Sequence, residues 1–198
     1  MTNWQENLQA WGAAWATIRE SDLGVAEQIL GWPAATGEFS APVIHLVTAD
    51  AADATGAAGV AGAREFAATS GWAETGAAVL LTAVTEELDL VPQLPPNTNL
   101  AEVPLEHYDA VEVALFDRPV AGGRVKVGDG FAVLGGLHID GQEPAMEVAL
   151  EAVMLASLGE EAFLHGAETL YLVADPAQAS RVAPLGSTQV AQILSFRR

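Results

Sequence analysis

The most continuous hydrophobic pattern lies in the C-terminal half of the chain. Nearly every position of Phe131–Ile139 is apolar, as in a strand that is covered on both faces. Residues 145–158 are apolar except for a narrow stripe marked by Glu147 and Glu151, which predicts a mostly buried helix. Thr169–Ala174 is a second apolar run. A strand, a crossover helix and a strand make a right-handed βαβ unit, so the two strands are predicted to be parallel.

Before this unit the period of the pattern changes to two. Residues 110–116 and 120–127 are predicted strands, and paired glycines in the second favour a bulge. Residues 128–130 supply a hairpin turn into the next strand. The three strands therefore form an antiparallel meander that passes into the parallel unit. After it we expect a short helix over residues 175–185 and a final strand over residues 189–196.

The start of the chain predicts helices. An apolar stripe at spacings of three and four predicts a helix over residues 1–20; its members are Trp4, Leu8, Trp11, Trp15 and Ile18. We expect the three tryptophans to pack on the protein's own core, with a homodimer contact or the wall of a ligand groove as the alternative. Ser21 and Asp22 cap a predicted second short helix through Leu30. Residues 1–41 are thus predicted to be a helical N-terminal extension.

The middle of the chain is less regular. Residues 42–48 predict a strand, and Asp50 is the expected cap of a helix through about Thr69. Residues 74–88 are predicted to be helical, but a strand over residues 77–84 competes, because the apolar run is short and flanked by glycine.

A proline-rich break at residues 91–99 is the best candidate boundary. It is too short for a free linker. We therefore expect one compact domain over residues 1–198, with a core over residues 42–198 and an internal seam at the break.

Two segments resemble each other: IHLVTADAADA at residues 44–54 and LYLVADPAQAS at residues 170–180. Chance similarity in an alanine-rich chain is the expected explanation, and an internal repeat is the alternative.

Composition narrows the class of protein. The chain has 198 residues, 51% of them hydrophobic, which indicates a globular fold. Its net charge of −18 argues against nucleic acid and anionic membranes as partners, because both require a basic face. No apolar run is long enough to span a bilayer, no signal peptide is visible and cysteine is absent, so a cytoplasmic location is expected.

A few polar residues are candidates for chemistry. His138 and Asp140 are spaced as a same-face strand pair, but two groups are too few for a metal site, so no metal is predicted. Glu106, beside His107 and Tyr108, is a candidate general base. Neither a G-x-S-x-G elbow nor a phosphate-binding G-x-x-x-x-G-K-[ST] loop occurs.

Basic residues are rare, and three of the eight lie close together: Arg118, Arg124 and Lys126. Solvated hairpin charges are the expected reading, and a site for a phosphate or carboxylate is the alternative. His45, on the early strand, is expected to be a core histidine.

The predicted fold is a mixed α/β (α+β) sheet built from a meander, a buried helix, a parallel strand, a short helix and a final strand. This order of elements resembles the C-terminal part of the GNAT acyl-CoA N-acyltransferase superfamily. The resemblance covers about residues 100–196 and extends back to residue 42 if PVIHLVTADAADA is the family's first strand and helix start. It implies a GNAT-like fold, acetyl-CoA as cofactor and a small-molecule amine as acceptor.

The resemblance also implies a cofactor site. In the family, the strand before the long helix splays from its neighbour and offers backbone groups to the pantetheine arm; here that segment is Gly136, Leu137, His138 and Ile139. The following loop, with Gly141 and Gln142, matches the loop that holds the pyrophosphate. Asp175 falls at the position of the asparagine that opens the next helix.

The sequence departs from the family pattern at both helices. The basic residue of the loop is absent, Pro144 removes an amide donor, and Asp140 and Glu143 add negative charge where the ligand carries its own. Val182 occupies the position of the tyrosine that often serves as general acid. These departures argue against the usual mode of coenzyme A binding.

Two functional hypotheses follow. One is an N-acyltransferase in which the β-strand holds the donor and His138 or Glu106 takes the amine proton, without a covalent nucleophile. The other is a catalytically silent GNAT-fold module that binds another small molecule, or a protein through the tryptophan-rich helix.

Overall fold

The computed structural model describes residues 4–33, 39–49, 54–140 and 143–198. Within them one mixed sheet has the strand order β1-β2-β9-β3-β8-β7-β6-β5-β4. The strands are β1 Glu27–Gly31, β2 Val43–Ala49, β3 Ala73–Val84, β4 Thr98–Pro104, β5 Asp109–Leu115, β6 Arg118–Val127, β7 Phe131–Ile139, β8 Thr169–Ala174 and β9 Thr188–Arg197. The helices are α1 Leu8–Ile18, α2 Ala54–Thr69, α3 Pro144–Leu164 and α4 Pro176–Val182.

The predicted βαβ unit is confirmed. β7 and β8 are parallel, and α3 connects them. Pro144 occupies the first turn of α3, where its missing N–H costs no hydrogen bond, and the helix continues through Gly159. β5, β6 and β7 pair antiparallel, with a register shift between Gly122 and Arg124 at the paired glycines. The meander and its bulge are therefore confirmed as well.

Two predicted helices are wrong. Residues 27–31, which overlap the end of the helix expected through Leu30, form β1, which pairs in parallel with β2. Residues 73–84 form β3, as the competing interpretation proposed, and lie between β8 and β9. In both segments tertiary pairing overrides a weak local pattern. A further strand, β4, extends the meander beyond β5 at the edge of the sheet.

The helices lie on both faces of the sheet. α2, α3 and α4 cover one face, as the clusters around Leu194 and Leu172 show. On the other face, α1 buries its apolar stripe against Val133 and Tyr171. Trp11 is fully buried, so the prediction that the stripe belongs to the protein's own core is confirmed. The homodimer stays a prediction, but the tryptophan stripe of α1 is buried within the protein and is not the surface that would form it.

The centre of the sheet is arranged nearly symmetrically. β3 and β9 are antiparallel neighbours at the centre. β8 flanks β3 and is itself followed outward by the parallel strand β7; β2 flanks β9 and is followed outward by the parallel strand β1. The two similar segments of the sequence begin in β2 and β8, which occupy equivalent places in this arrangement.

The predicted boundaries have different outcomes. The chain has no helix or strand from residue 88 to residue 97, as expected for the proline-rich break. Pairing of β1 with β2 carries the sheet across the predicted limit at residue 41, and the division into extension, core and seam stays a prediction. Of the described helices, none is both long and apolar enough to cross a membrane.

Candidate functional site

β7 separates from β8 halfway along its length. The two strands pair only over residues 131–134, from Phe131 with Thr169 to Leu134 with Leu172. Beyond Leu134, β7 continues beside β6 alone, to which Gly135, His138 and Ile139 remain paired. The segment predicted to hold the donor, residues 136–139, lies entirely in this part of β7.

A bulge at Gly136 reorients the end of β7. Gly136 has φ +64°, a left-handed conformation that favours glycine. Because Gly135 pairs with Arg124 and His138 with Gly122, two residues of β7 lie opposite Gly123 alone. The side-chain alternation is thereby shifted, and His138 lies on the face of the sheet that α1 covers.

His138 borders a trough whose floor is glycine. Glu112 of β5, Gly122 of β6 and His138 of β7 form one row across three strands. The trough has a volume of ≈ 450 Å³, and its walls also include Ala110 and Arg124. Adjacent strands lie about 4.8 Å apart, so the outer two backbones of the row are about 10 Å apart. The volume of the trough suits a small ligand in contact with both Glu112 and His138.

The imidazole of His138 leans over the floor. A Cβ at Gly122 would lie 2.5 Å from His138 Cε1, closer than any side chain tolerates. His138 Nδ1 is 3.2 Å from the carbonyl oxygen of Gly136. Both His138 and Glu112 are exposed to solvent, so both are accessible to a ligand in the trough.

Arg124 connects the trough to α1. Its Nη1 donates to the carbonyl oxygen of Ile18 at 2.7 Å and forms an ion pair with Glu20 at 3.3 Å. The guanidinium also lies 4.8 Å from the ring centre of Tyr108, whose hydroxyl donates to Glu20 at 2.5 Å. This hydrogen bond raises the pKa of Tyr108. The guanidinium is thus held in place by several partners at the end of α1.

Glu106, the other predicted base, lies elsewhere. It lines a separate hollow of ≈ 740 Å³ with His107, Tyr108 and Lys126, next to the end of α1. It is not among the residues that border the trough. The structure therefore brings His138 together with Glu112, which sequence reasoning missed, and not with Glu106.

The N-terminus of α4 is capped by its own chain. Asp175, predicted to contact the cofactor, accepts hydrogen bonds from the amides of Ala177 and Gln178 at 2.8 and 3.0 Å. Its carboxylate therefore occupies amides that an anion would need. Val182, at the family's tyrosine position, is fully buried in the core.

The N-terminus of α3 is acidic. Glu143 is its N-cap residue and Glu147 lies in its first turn. Gly141 and Gln142, predicted to hold the pyrophosphate, lie outside the described residues. Arg181 of α4 reaches across to α3 and pairs with Glu147 at 3.2 Å and Glu151 at 2.6 Å. The basic residue that reaches α3 from α4 is thus already paired with carboxylates.

No protein-family model matches the sequence, and no curated protein matches it as a relative. Solved structures do match. A GCN5-related N-acetyltransferase from Kribbella flavida superposes with a TM-score of 0.55 at 17% identity, over 78% of this chain and 67% of that one. The chain therefore has the GNAT fold.

Two further GNAT structures agree. A tandem GNAT protein from the clavulanic acid biosynthesis pathway has a TM-score of 0.56 at 11% identity, over 80% of this chain and 64% of that one. A GCN5-related N-acetyltransferase from Sphaerobacter thermophilus has a TM-score of 0.52 at 8% identity, over 96% of this chain and 66% of that one. The chain thus spans about two thirds of the length of these proteins. At such identities the likeness establishes the GNAT fold alone.

Proposed function

We propose that the protein is an N-acyltransferase that transfers an acyl group to a small cationic amine bound in the Glu112–His138 trough. The observation that carries the proposal is the position of this trough, which borders the same stretch of β7 that has separated from β8. An amine there would lie beside the strand whose backbone groups are available to an acyl donor.

The strand segment and the helix ends that would hold the acyl donor fit an acyl-CoA unequally. The backbone of residues 135–139 has no β8 partner, which suits the amide-containing pantetheine arm. The helix ends supply Glu143, Glu147 and the capping Asp175 instead of cations, which do not suit the phosphates. When bound, an acyl-CoA would supply an activated thioester for attack by the amine. The proposal therefore rests on the strand segment, and we expect the nucleotide to add little affinity.

The trough residues have distinct roles in this proposal. The carboxylate of Glu112 attracts and positions the ammonium form of the acceptor. His138 accepts a proton from this ammonium group, which leaves the amine neutral and able to attack; this is the usual task of a histidine base. Gly122 leaves the space that the His138 ring occupies. Positioning of the two reactants supplies most of the acceleration, and no covalent nucleophile is needed.

Steady-state acyl transfer from acetyl-CoA to a panel of primary amines tests the proposal. We expect Glu112→Gln to raise the KM for the amine about 10-fold, because it removes the attracting charge. We expect His138→Gln to lower kcat about 10²-fold, because it removes the base. Glu102→Gln, on exposed β4, is the matched control and should leave both constants unchanged. No transfer to any amine by the wild-type protein would contradict the proposal.

A second candidate function is a catalytically silent module that binds an amine without a donor. It is favoured by the ion pairs of Arg181 across α3 and α4, which occupy the region where the GNAT resemblance places the nucleotide. Calorimetry separates the two candidates. Heat of binding from acetyl-CoA at millimolar concentration supports the transferase. Heat of binding from amines, with none from acetyl-CoA, supports the module.

A further inference from the structure

A second cavity lies on the opposite face of the sheet from the trough. It has a volume of ≈ 460 Å³, within the range of small-molecule sites, about 300–1,000 Å³. Its floor includes Leu81, Leu134 and Leu172, and its wall includes Ala152 and Ala156 of α3. Leu134 and Leu172 are also the last paired residues before β7 and β8 separate. The interior is therefore mostly apolar and lies against the paired part of β7 and β8.

The segment of residues 87–93 forms the roof of this cavity, and two of its leucines pack against glycines. A Cβ at Gly186 would lie 2.8 Å from Leu88 Cδ2, and a Cβ at Gly159 would lie 2.7 Å from Leu90 Cδ2. Both leucines thus pack directly on backbone that only a glycine leaves uncovered. These two contacts fix the roof to the turn after α4 and to α3, so the space beneath it is bounded on both sides.

The rim of the cavity is acidic and partly apolar. Glu87 and Asp89 line it and are exposed, and no lysine or arginine occurs among the described residues that line it. Val91 and Leu185, also on the lining, are 64% and 40% exposed. An occupant that matches this arrangement has a hydrocarbon body for the interior and a positive charge at the rim.

We propose that this cavity is a binding site for an amphiphilic amine, with the alkyl or aryl body beneath the roof and the ammonium group beside Glu87 and Asp89. The inference is independent of acyl transfer, because the cavity and the trough lie on different faces of the sheet and share no lining residue. Its selectivity for charge follows from the acidic rim, and its selectivity for chain length follows from the limited volume of the cavity.

Calorimetric titration with n-alkylamines from butylamine to decylamine tests the site. Each methylene buried in an apolar cavity contributes about 0.8 kcal/mol, so we expect the Kd to fall about fourfold per added carbon until the chain fills the space. Octylamine should bind at least about fivefold more tightly than octanol and octanoate, because of the two carboxylates. The variant Glu87→Gln/Asp89→Asn should remove the preference for octylamine over octanol.

A variant that fills the cavity supplies the structural control. Ala152→Phe places a ring in the cavity and should weaken octylamine binding at least about 10-fold. Ala13→Phe, on the exposed side of α1, should leave binding unchanged. If Ala152→Phe fails to fold, the Glu87→Gln/Asp89→Asn variant still tests the site through its selectivity. Equal binding of octanoate and octylamine, or a Kd independent of chain length, would overturn the inference.

Discussion

Arg181 of α4 donates to both carboxylate oxygens of Glu151 of α3, with Nε at 2.7 Å and Nη2 at 2.6 Å. The side chain of Glu151 is only 4% exposed, whereas that of Arg181 is 34% exposed. Gln178 adds a hydrogen bond to the same carboxylate at 3.4 Å. Hydrogen bonding to Glu151 raises the pKa of Arg181, opposed by burial of the guanidinium. The pair therefore links α4 to α3.

Removal of Arg181 should destabilise the fold. Arg181→Met leaves a buried carboxylate without its charge partner, and we expect the free energy of unfolding to fall by about 2–3 kcal/mol, less than for a fully buried pair because Arg181 is partly exposed. Urea unfolding followed by circular dichroism measures it. The double variant Glu151→Met/Arg181→Met should recover most of the loss.

The exposed pair of Arg64 and Glu74 is the control for this prediction. It is also bidentate, with both contacts at 3.0 Å, but the side chains are 49% and 34% exposed. Arg64→Met should therefore cost no more than about 0.5 kcal/mol. If Arg64→Met and Arg181→Met lowered the free energy of unfolding equally, burial of Glu151 would not add to the stabilisation by its ion pair.

Gly122→Ala should close the trough. The new methyl group would meet the His138 ring at 2.5 Å, so the ring must turn away from Glu112. We expect at least a 10-fold loss in kcat/KM for acyl transfer to the amine, or in amine affinity if the protein is a binding module. Histidine chemical shifts measured by NMR report the ring displacement. Gly76→Ala in β3, where a Cβ meets open space, is the control and should change neither.

Stability should depend on pH through Glu27. Burial raises the pKa of this carboxyl, but a hydrogen bond from His45 and the charges of Arg19 and His45 outweigh it, so the pKa lies below its usual 4.5. A lowered pKa in the folded state means that the contribution is complete above the unfolded pKa. It is lost as the pH falls from about 4.5 through the folded value.

Urea midpoints between pH 6 and pH 3 test the role of Glu27. We expect the midpoint of the wild-type protein to fall more steeply with decreasing pH than that of Glu27→Gln, because the variant has no proton to gain at this position. The buried Glu27 carboxylate is held by His45 Nε2 at 3.1 Å and by Arg19, while Ser195 Oγ lies 2.8 Å from His45 Nδ1. Parallel curves for the two proteins would argue against the lowered pKa.

Trp11 should be the most costly residue of α1 to truncate. Its ring is fully buried, stacks on Tyr171 at 6.0 Å between centroids, and donates from Nε1 to the carbonyl oxygen of Trp4 at 3.0 Å. We expect Trp11→Ala to lower the free energy of unfolding by about 3–5 kcal/mol. Chemical denaturation measures the change. Ala13→Ser, on the exposed side of the same helix, should stay within about 0.5 kcal/mol of the wild-type protein.

The fold was most predictable where a segment is buried on both faces. β7, α3 and β8 carry long apolar runs whose pattern allows few alternatives. β1 has only five residues. The chain between β1 and its partner β2 has no hydrophobic periodicity from which their pairing could be predicted. β4 is an edge strand with mostly exposed side chains, so it lacks the alternation that identifies strands.

The site was less predictable than the fold because it depends on register. Glu112 alternates with the buried Val111 and Val113, and in sequence it resembles any solvent-facing strand residue. Only the pairing of β5 with β6 and of β6 with β7 places it in one row with His138. The available signal was Gly122, because a glycine inside a strand often marks the close approach of another group.

The place of β3 between β8 and β9 has a consequence for how the polypeptide acquires its shape. Thr75 Oγ1 donates to the carbonyl oxygen of Ser195 across 120 positions of sequence. While the chain is being synthesised, the edges of β2 and β3 that pair with β9 must therefore stay unpaired until β9 has emerged from the ribosome. Such long-range pairing is slow to form, and strand edges that stay unpaired in the meantime are prone to aggregate.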